Sequence, residues 1–142
     1  MAGAKAQGGE WKGSEMTAKT FLTISSIFAI LYGLSFLLAP GQSIATFGSE
    51  PEPHLVLVVR FLGSVFLAFG ALQWLSKDFR DWEAIRAVLI AVVVLNILNL
   101  LLNLWGMTQG LFNAMGWLNI ILNIVFLAGA LYSFSNGRRQ VA

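Results

Sequence analysis

Ala84-Ile85-Arg86-Ala87-Val88-Leu89-Ile90-Ala91-Val92-Val93-Val94-Leu95-Asn96-Ile97-Leu98-Asn99-Leu100-Leu101-Leu102-Asn103-Leu104-Trp105 is an apolar run with a single charge, near its start. Roughly 20 residues of this kind, rising 1.5 Å each, cross the ~30 Å hydrocarbon layer of a bilayer. The run follows Ser76-Lys77-Asp78-Phe79-Arg80-Asp81-Trp82-Glu83, in which Asp81 is placed to cap the helix and Glu83 to sit in its first turn, where the helix dipole favours negative charge. Comparable runs on either side give four spans, at about 18–39, 54–75, 84–105 and 111–134. The mean hydropathy of +0.74 agrees. The expected fold class is all-α: a four-transmembrane-helix bundle made of two helical hairpins, occupying residues 18–135 between an N-terminal tail (1–17) and a C-terminal tail (136–142).

The connections between spans differ in charge. Lys5, Lys12, Lys19, Lys77, Arg80, Arg86, Arg138 and Arg139 all fall on one side, whereas the loop holding Pro40, Pro51 and Pro53 carries Glu50 and Glu52 and no basic residue. The positive-inside bias then places both termini in the cytoplasm and makes the chain a multi-pass protein. The same bias accounts for the formal charge of +2 without nucleic acid. Segment 1–17 reads as a cytoplasmic tail and not a signal peptide, because Glu10, Trp11 and Glu15 interrupt it and the run that follows ends at Pro40-Gly41 with no cleavage site. Gly3, Gly8, Gly9 and Gly13 suggest mobility in its first half, and Ser14 or Thr17 is placed to cap the first helix.

Hydrocarbon satisfies no hydrogen bonds, so the polar residues inside the spans carry the most information. These are Arg60, Tyr32, Asn96, Asn99, Asn103, Asn119 and Asn123, the candidate ligand-binding residues. Asn96, Asn99 and Asn103 repeat at i, i+3 and i+7, and Gly116, Asn119 and Asn123 do the same, so each set lies on one helix face. Arg60, Asn99, Asn119 and Tyr32 fall at one depth in the outer half of the bilayer. Such a layer is either interhelical glue or a pocket for a polar or anionic headgroup. Arg60 either binds a ligand, snorkels to headgroups, or pairs with Glu50 or Glu52.

Small residues mark expected close helix contacts: Gly33 on span one, Gly63, Ser64 and Gly70 on span two, and Gly116 on span four. Trp74, Trp82, Trp105, Trp117 and Tyr132 lie near span ends, as interfacial aromatic belts do. Val65-Phe66-Leu67-Ala68-Phe69-Gly70-Ala71-Leu72 resembles Val125-Phe126-Leu127-Ala128-Gly129-Ala130-Leu131, one residue shorter, either a duplicated hairpin or chance likeness of apolar helices. His54, the only histidine, is at the outer mouth of span two and has no second histidine to share a metal. With no cysteine and no Asp or Glu in any span, the chain lacks the usual groups for catalysis, so no enzyme activity, metal or cofactor is expected.

Leu31-Tyr32-Gly33-Leu34-Ser35-Phe36-Leu37-Leu38-Ala39-Pro40-Gly41 and Arg60-Phe61-Leu62-Gly63, with the small-residue hairpin that follows, resemble bacterial four-helix proteins of DoxX-like type. The resemblance implies a small protein of the bacterial inner membrane, accessory to other membrane systems. The expected function is accordingly a non-catalytic accessory or scaffold subunit packed against a larger membrane complex or a second copy. The alternatives are a binder or carrier of a lipid, quinone or other amphipathic molecule through the outer-leaflet polar pocket, and an oligomeric channel or small transporter.

Overall fold

The computed structural model describes the backbone of residues 12–141 and the side-chain burial of residues 17–137. Five helices follow in order: α1 (Lys12–Leu38), α2 (Pro40–Thr46), α3 (Pro53–Ser76), α4 (Trp82–Thr108) and α5 (Met115–Val141). Four of them contain stretches long and apolar enough to span a bilayer: Thr17–Leu38, Pro53–Ser76, Trp82–Thr108 and Met115–Gly137. The chain is an all-α, multi-pass membrane protein. The expected mobility around Gly3, Gly8 and Gly9 lies outside the described residues. Ser14 and Thr17 stand inside α1, so neither caps it.

Local chemistry sets most of the boundaries. Ala39 precedes a proline, which disfavours helical backbone, and α1 stops at Leu38. Pro40 then opens α2 and Pro53 opens α3, at first-turn positions where a missing N–H costs no hydrogen bond. The short α2 was not expected from the sequence. Asp81 caps α4 as expected, its Oδ1 accepting from the Glu83 N–H at 3.2 Å. The fourth span begins later than residue 111. Gly110 adopts φ +68°, which turns the chain after α4, and Asn113 Oδ1 accepts from the Met115 N–H at 2.9 Å to start α5 there.

The helices alternate in direction, so the start of α1, the ends of α3 and α5 and the start of α4 share one charged end. Between lipid-facing helices water exclusion does little, and close packing and hydrogen bonds hold them together. The α1–α3 crossing shows this. A Cβ built on Gly63 would lie 2.8 Å from the Leu37 N and 2.9 Å from the Gly33 O, and one on Gly33 would lie 2.8 Å from the Leu67 N. Those neighbours are backbone atoms, so only hydrogen fits at either position. Gly70 approaches Ile30 in the same way. Gly116 packs against Met107 and Phe112 within the second hairpin. Ser64 departs from its expected packing role: it is exposed, and its hydroxyl donates to the Arg60 carbonyl one turn earlier at 3.2 Å.

The two similar strings take corresponding places. Gly70 of α3 and Gly129 of α5 both approach α1, meeting Ile30 and Phe21 respectively. At the charged end Ala18, Leu22, Ile85, Val88 and Leu89 form a dry cluster, with Phe21, Trp82 and Phe134 packed against it. Lys19 Nζ reaches Asp78 Oδ1 at 2.7 Å, tying α1 to the α3–α4 connection, and Lys77 reaches Asp78 Oδ2 at 2.7 Å. The hydrogen bonds from Lys19 and then Lys77 lower the Asp78 pKa to about 2. Lys77 also lies 4.5 Å from the centre of the Trp74 ring. Elsewhere large apolar side chains such as Leu31, Phe61, Val65, Leu101 and Ile121 stay exposed along the spans, as contact with lipid tails requires.

Candidate functional site

Above the dry cluster the two hairpins separate around a cavity of about 370 Å³, within the size range of small-molecule sites. Its walls differ chemically. On α1, Phe28, Tyr32 and Phe36 recur every four residues, and on α3 Leu62, Phe66, Phe69 and Gln73 recur at helical spacing, so the first hairpin presents mainly rings. Tyr32, Phe36 and Phe66 pack against one another, with ring centres 5.7 to 6.2 Å apart. The second hairpin presents amides: Asn96, Asn99 and Asn103 from α4, and Asn119 and Asn123 from α5, interspersed with Leu95, Leu102, Leu122 and Phe126.

Only one hydrogen bond among these asparagines joins two helices. Asn119 Nδ2 donates to Asn103 Oδ1 at 2.9 Å, crossing from α5 to α4. Three others fold back onto their own helix, Asn96 Nδ2 to the Val92 O at 2.8 Å, Asn103 Nδ2 to the Asn99 O at 2.7 Å and Asn123 Nδ2 to the Asn119 O at 2.8 Å. The side chain of Asn99 has no partner among the described residues, and the Oδ1 atoms of Asn96, Asn119 and Asn123 accept from none. These spare groups belong to residues that line the cavity. At its inner end Gln73 is 1% exposed, and its Oε1 has no hydrogen-bond partner among the described residues. An unpaired amide oxygen at that burial costs of the order of 1–3 kcal/mol.

The end away from the charged connections is closed by Ile44 of α2, Phe47 and Phe112, the two rings meeting edge to face at 6.0 Å. Asn113 holds that closure: its N–H donates to the Phe47 O at 3.2 Å and its Nδ2 to the Thr46 O at 2.9 Å. Gly48, at φ +90°, lets the backbone turn beneath it. Between α3 and α4 contact is slight, and Leu62 and Leu102 both line the cavity and stay exposed. The cavity is thinly covered on the side between α3 and α4.

Of the seven candidate residues read from the sequence, Tyr32, Asn96, Asn99, Asn103, Asn119 and Asn123 line this one cavity. Arg60 does not. It shares the predicted depth but is exposed on another face of α3, and its guanidinium has no partner among the described residues. Among the described residues no Asp, Glu, Lys, Arg or His lines the cavity. Among the described residues no three His, Cys, Asp or Glu side chains gather into a metal site, and His54 is exposed in the first turn of α3. The sequence reading expected phenylalanine-rich walls for a bound tail but named none of their residues, and it did not place Ser25 or Gln73 at the site. Gln73, the single amide within span two, was legible there by the same energetics that singled out the asparagines.

With this geometry in place, comparison with known proteins places the chain in a family. It belongs to the family described as domain of unknown function DUF8292, which matches residues 4–135. No curated protein and no solved structure matches the chain.

Proposed function

We propose that this protein binds an uncharged, membrane-dissolved amphipathic small molecule in the cavity between its two hairpins. The observation that carries the reading is the asparagine wall. Five amides line one cavity, and most keep hydrogen-bonding capacity that no other described residue uses. Asparagines serving only as glue would pair across helices, whereas one such pair is present. The rings opposite supply apolar contact, and the gap between α3 and α4 offers a path from the lipid phase. With no charged group among the described residues of the wall, an anionic headgroup has no counter-ion there, so the proposed ligand is neutral. Binding of this kind needs no catalytic group.

The proposed setting is the bacterial inner membrane, with the basic end and both termini in the cytoplasm, on the strength of the charge bias and the DoxX-like resemblance. A lateral protein partner, the accessory role, is favoured by one observation. Arg60 is exposed at span depth with its guanidinium unpaired among the described residues, and an acidic or carbonyl group of a neighbouring chain would satisfy it. The channel reading has less support, because Leu22 and Leu89, 1% and 0% exposed, seal the bundle below the cavity.

Native mass spectrometry of the protein released from lipid discs tests the proposal. The expected result is one small molecule retained per protomer and lost in Asn96→Leu/Asn99→Leu. A protomer that carries no small molecule but keeps a stoichiometric protein partner would replace it with the accessory role.

A further inference from the structure

The distribution of polar groups inside the cavity narrows the ligand class, given the binding role proposed above. A head-and-tail lipid needs polar groups at one end of its site and hydrocarbon at the other. Here the contrast runs sideways. Asn96, Asn99 and Asn103 extend along α4 for about 10 Å at 1.5 Å per residue, and Asn119 and Asn123 continue that wall on α5. Across the cavity Phe28, Tyr32, Phe36, Phe66 and Phe69 cover a similar length. At the inner end, where a lipid tail would terminate, stands Gln73, 1% exposed with its Oε1 unpartnered.

We propose that the cavity takes a rigid, uncharged fused-ring molecule of terpenoid or steroid type that carries hydroxyl or carbonyl groups along one long side, with its hydrocarbon side against the rings of α1 and α3. A flexible chain would bury polar amides against methylene groups along most of its length, leaving them unsatisfied. A rigid body with its oxygens in a row meets those amides together and loses less freedom on binding. Amides suit mixed partners, since each offers donors and an acceptor. Asn99, Asn96 and Gln73 are the residues assigned to hold the polar side. The spare oxygens of Asn96 and Gln73 call for hydroxyl donors, and the free Asn99 side chain serves either donor or acceptor.

Three neutral probes separate this idea from the broader binding role: methyl cholate, with three hydroxyls along one face; methyl lithocholate, the same ring system with one hydroxyl; and 1-lauroylglycerol, whose hydroxyls sit at one end. Equilibrium dialysis of labelled probe against the full chain in lipid discs, with empty discs subtracted, gives each Kd. Methyl cholate is expected to bind about tenfold or more tighter than methyl lithocholate, the effect of one or two hydrogen bonds. Asn99→Leu and Gln73→Leu should each erase most of that preference by weakening methyl cholate far more than methyl lithocholate, whose retained saturable binding a misfolded variant would not show. Arg60→Gln should leave all three values alone. Saturable binding of 1-lauroylglycerol with no preference between the two steroid esters would overturn the ring assignment and leave the binding role standing. Saturation by none of the three probes would overturn both.

Discussion

The two hairpins are held together by opposite means. Between α1 and α3 the contact is made by removing side chains: Gly33 and Gly63 bring backbones so close that a Cβ on either would lie within 3 Å of the other helix. Between α4 and α5 an amide pair, Asn103 and Asn119, spans the gap, and the nearest neighbours of Gly116 are side-chain atoms of Met107 and Phe112. Lipid is as apolar as leucine, so neither hairpin gains from hiding hydrocarbon; the first relies on backbone-to-backbone packing at its glycines, and the second adds an interhelical hydrogen bond to contacts between glycines and side chains, such as Gly137 against Trp82. The consequence reaches the cavity. A hairpin closed by glycines turns rings toward the bundle centre, while one that uses amides turns amides there, and the two meet as unlike walls.

Replacing Gly63 by Ala probes the difference most severely. Leu37 and Gly33 confront the new methyl with backbone atoms, so Gly63→Ala should cost about 1–3 kcal/mol in reversible unfolding in mixed detergent. Gly116→Ala, opposed mainly by a methionine side chain that can rotate aside, should cost about 1 kcal/mol or less. Equal losses at the two sites would remove the contrast between the hairpins.

The clasp that joins the hairpins comes next in size. Asn113→Ala removes both the bond to the Thr46 carbonyl and the cap on Met115, and should destabilise the loop end by about 1 kcal/mol or slightly more. Amide exchange of Phe47 and Met115 should accelerate, with α1 and α3 unaffected. A smaller effect is expected from the asparagine pair. A double-mutant cycle with Asn103→Leu and Asn119→Leu should return a coupling of about 0.6 kcal/mol, below about 1.7. A coupling near zero would leave the second hairpin without its distinguishing bond.

The weakest expected effect is at the charged end, where α1 meets the α3–α4 connection. Asp78, lowered to about 2 by Lys19 and Lys77, binds fewer protons folded than unfolded, so its contribution is present above about pH 3.8 and fades as pH falls through 2. Lys19→Ala should raise the Asp78 midpoint part of the way toward 3.8, read by carboxyl NMR, with no measurable change in melting temperature because the pair is exposed.

How much could be read from the chain varied residue by residue. The spans followed from length and hydropathy, and the Asp81 cap from residue type and position. Tyr32 and the five asparagines followed from the cost of polar groups in hydrocarbon, and all six line one cavity. Depth, though, is a linear quantity and facing is angular. Arg60 matched Asn99 in depth, yet it points away from the cavity because the glycine contact with α1 sets the rotation of α3. Ser64 was read from its size alone, and the same rotation leaves it exposed. Which phenylalanines would form a wall could not be picked out, because an apolar residue in a span costs nothing whichever way it faces.

The amino-acid sequence by itself determined that four helices cross a membrane, that their charged connections lie together, and which uncharged polar groups hydrocarbon could not accommodate. Those properties depend on transfer energies and helical rise, which are local. Only the tertiary structure decided which faces meet: that backbone contacts at glycines close one hairpin and an amide pair bridges the other, that Gln73 comes to the inner end of the cavity, and that Arg60 stays outside. Helix rotation and partner choice arise from packing between segments far apart in the chain, where differences of a kcal/mol or two among similar apolar faces select the arrangement.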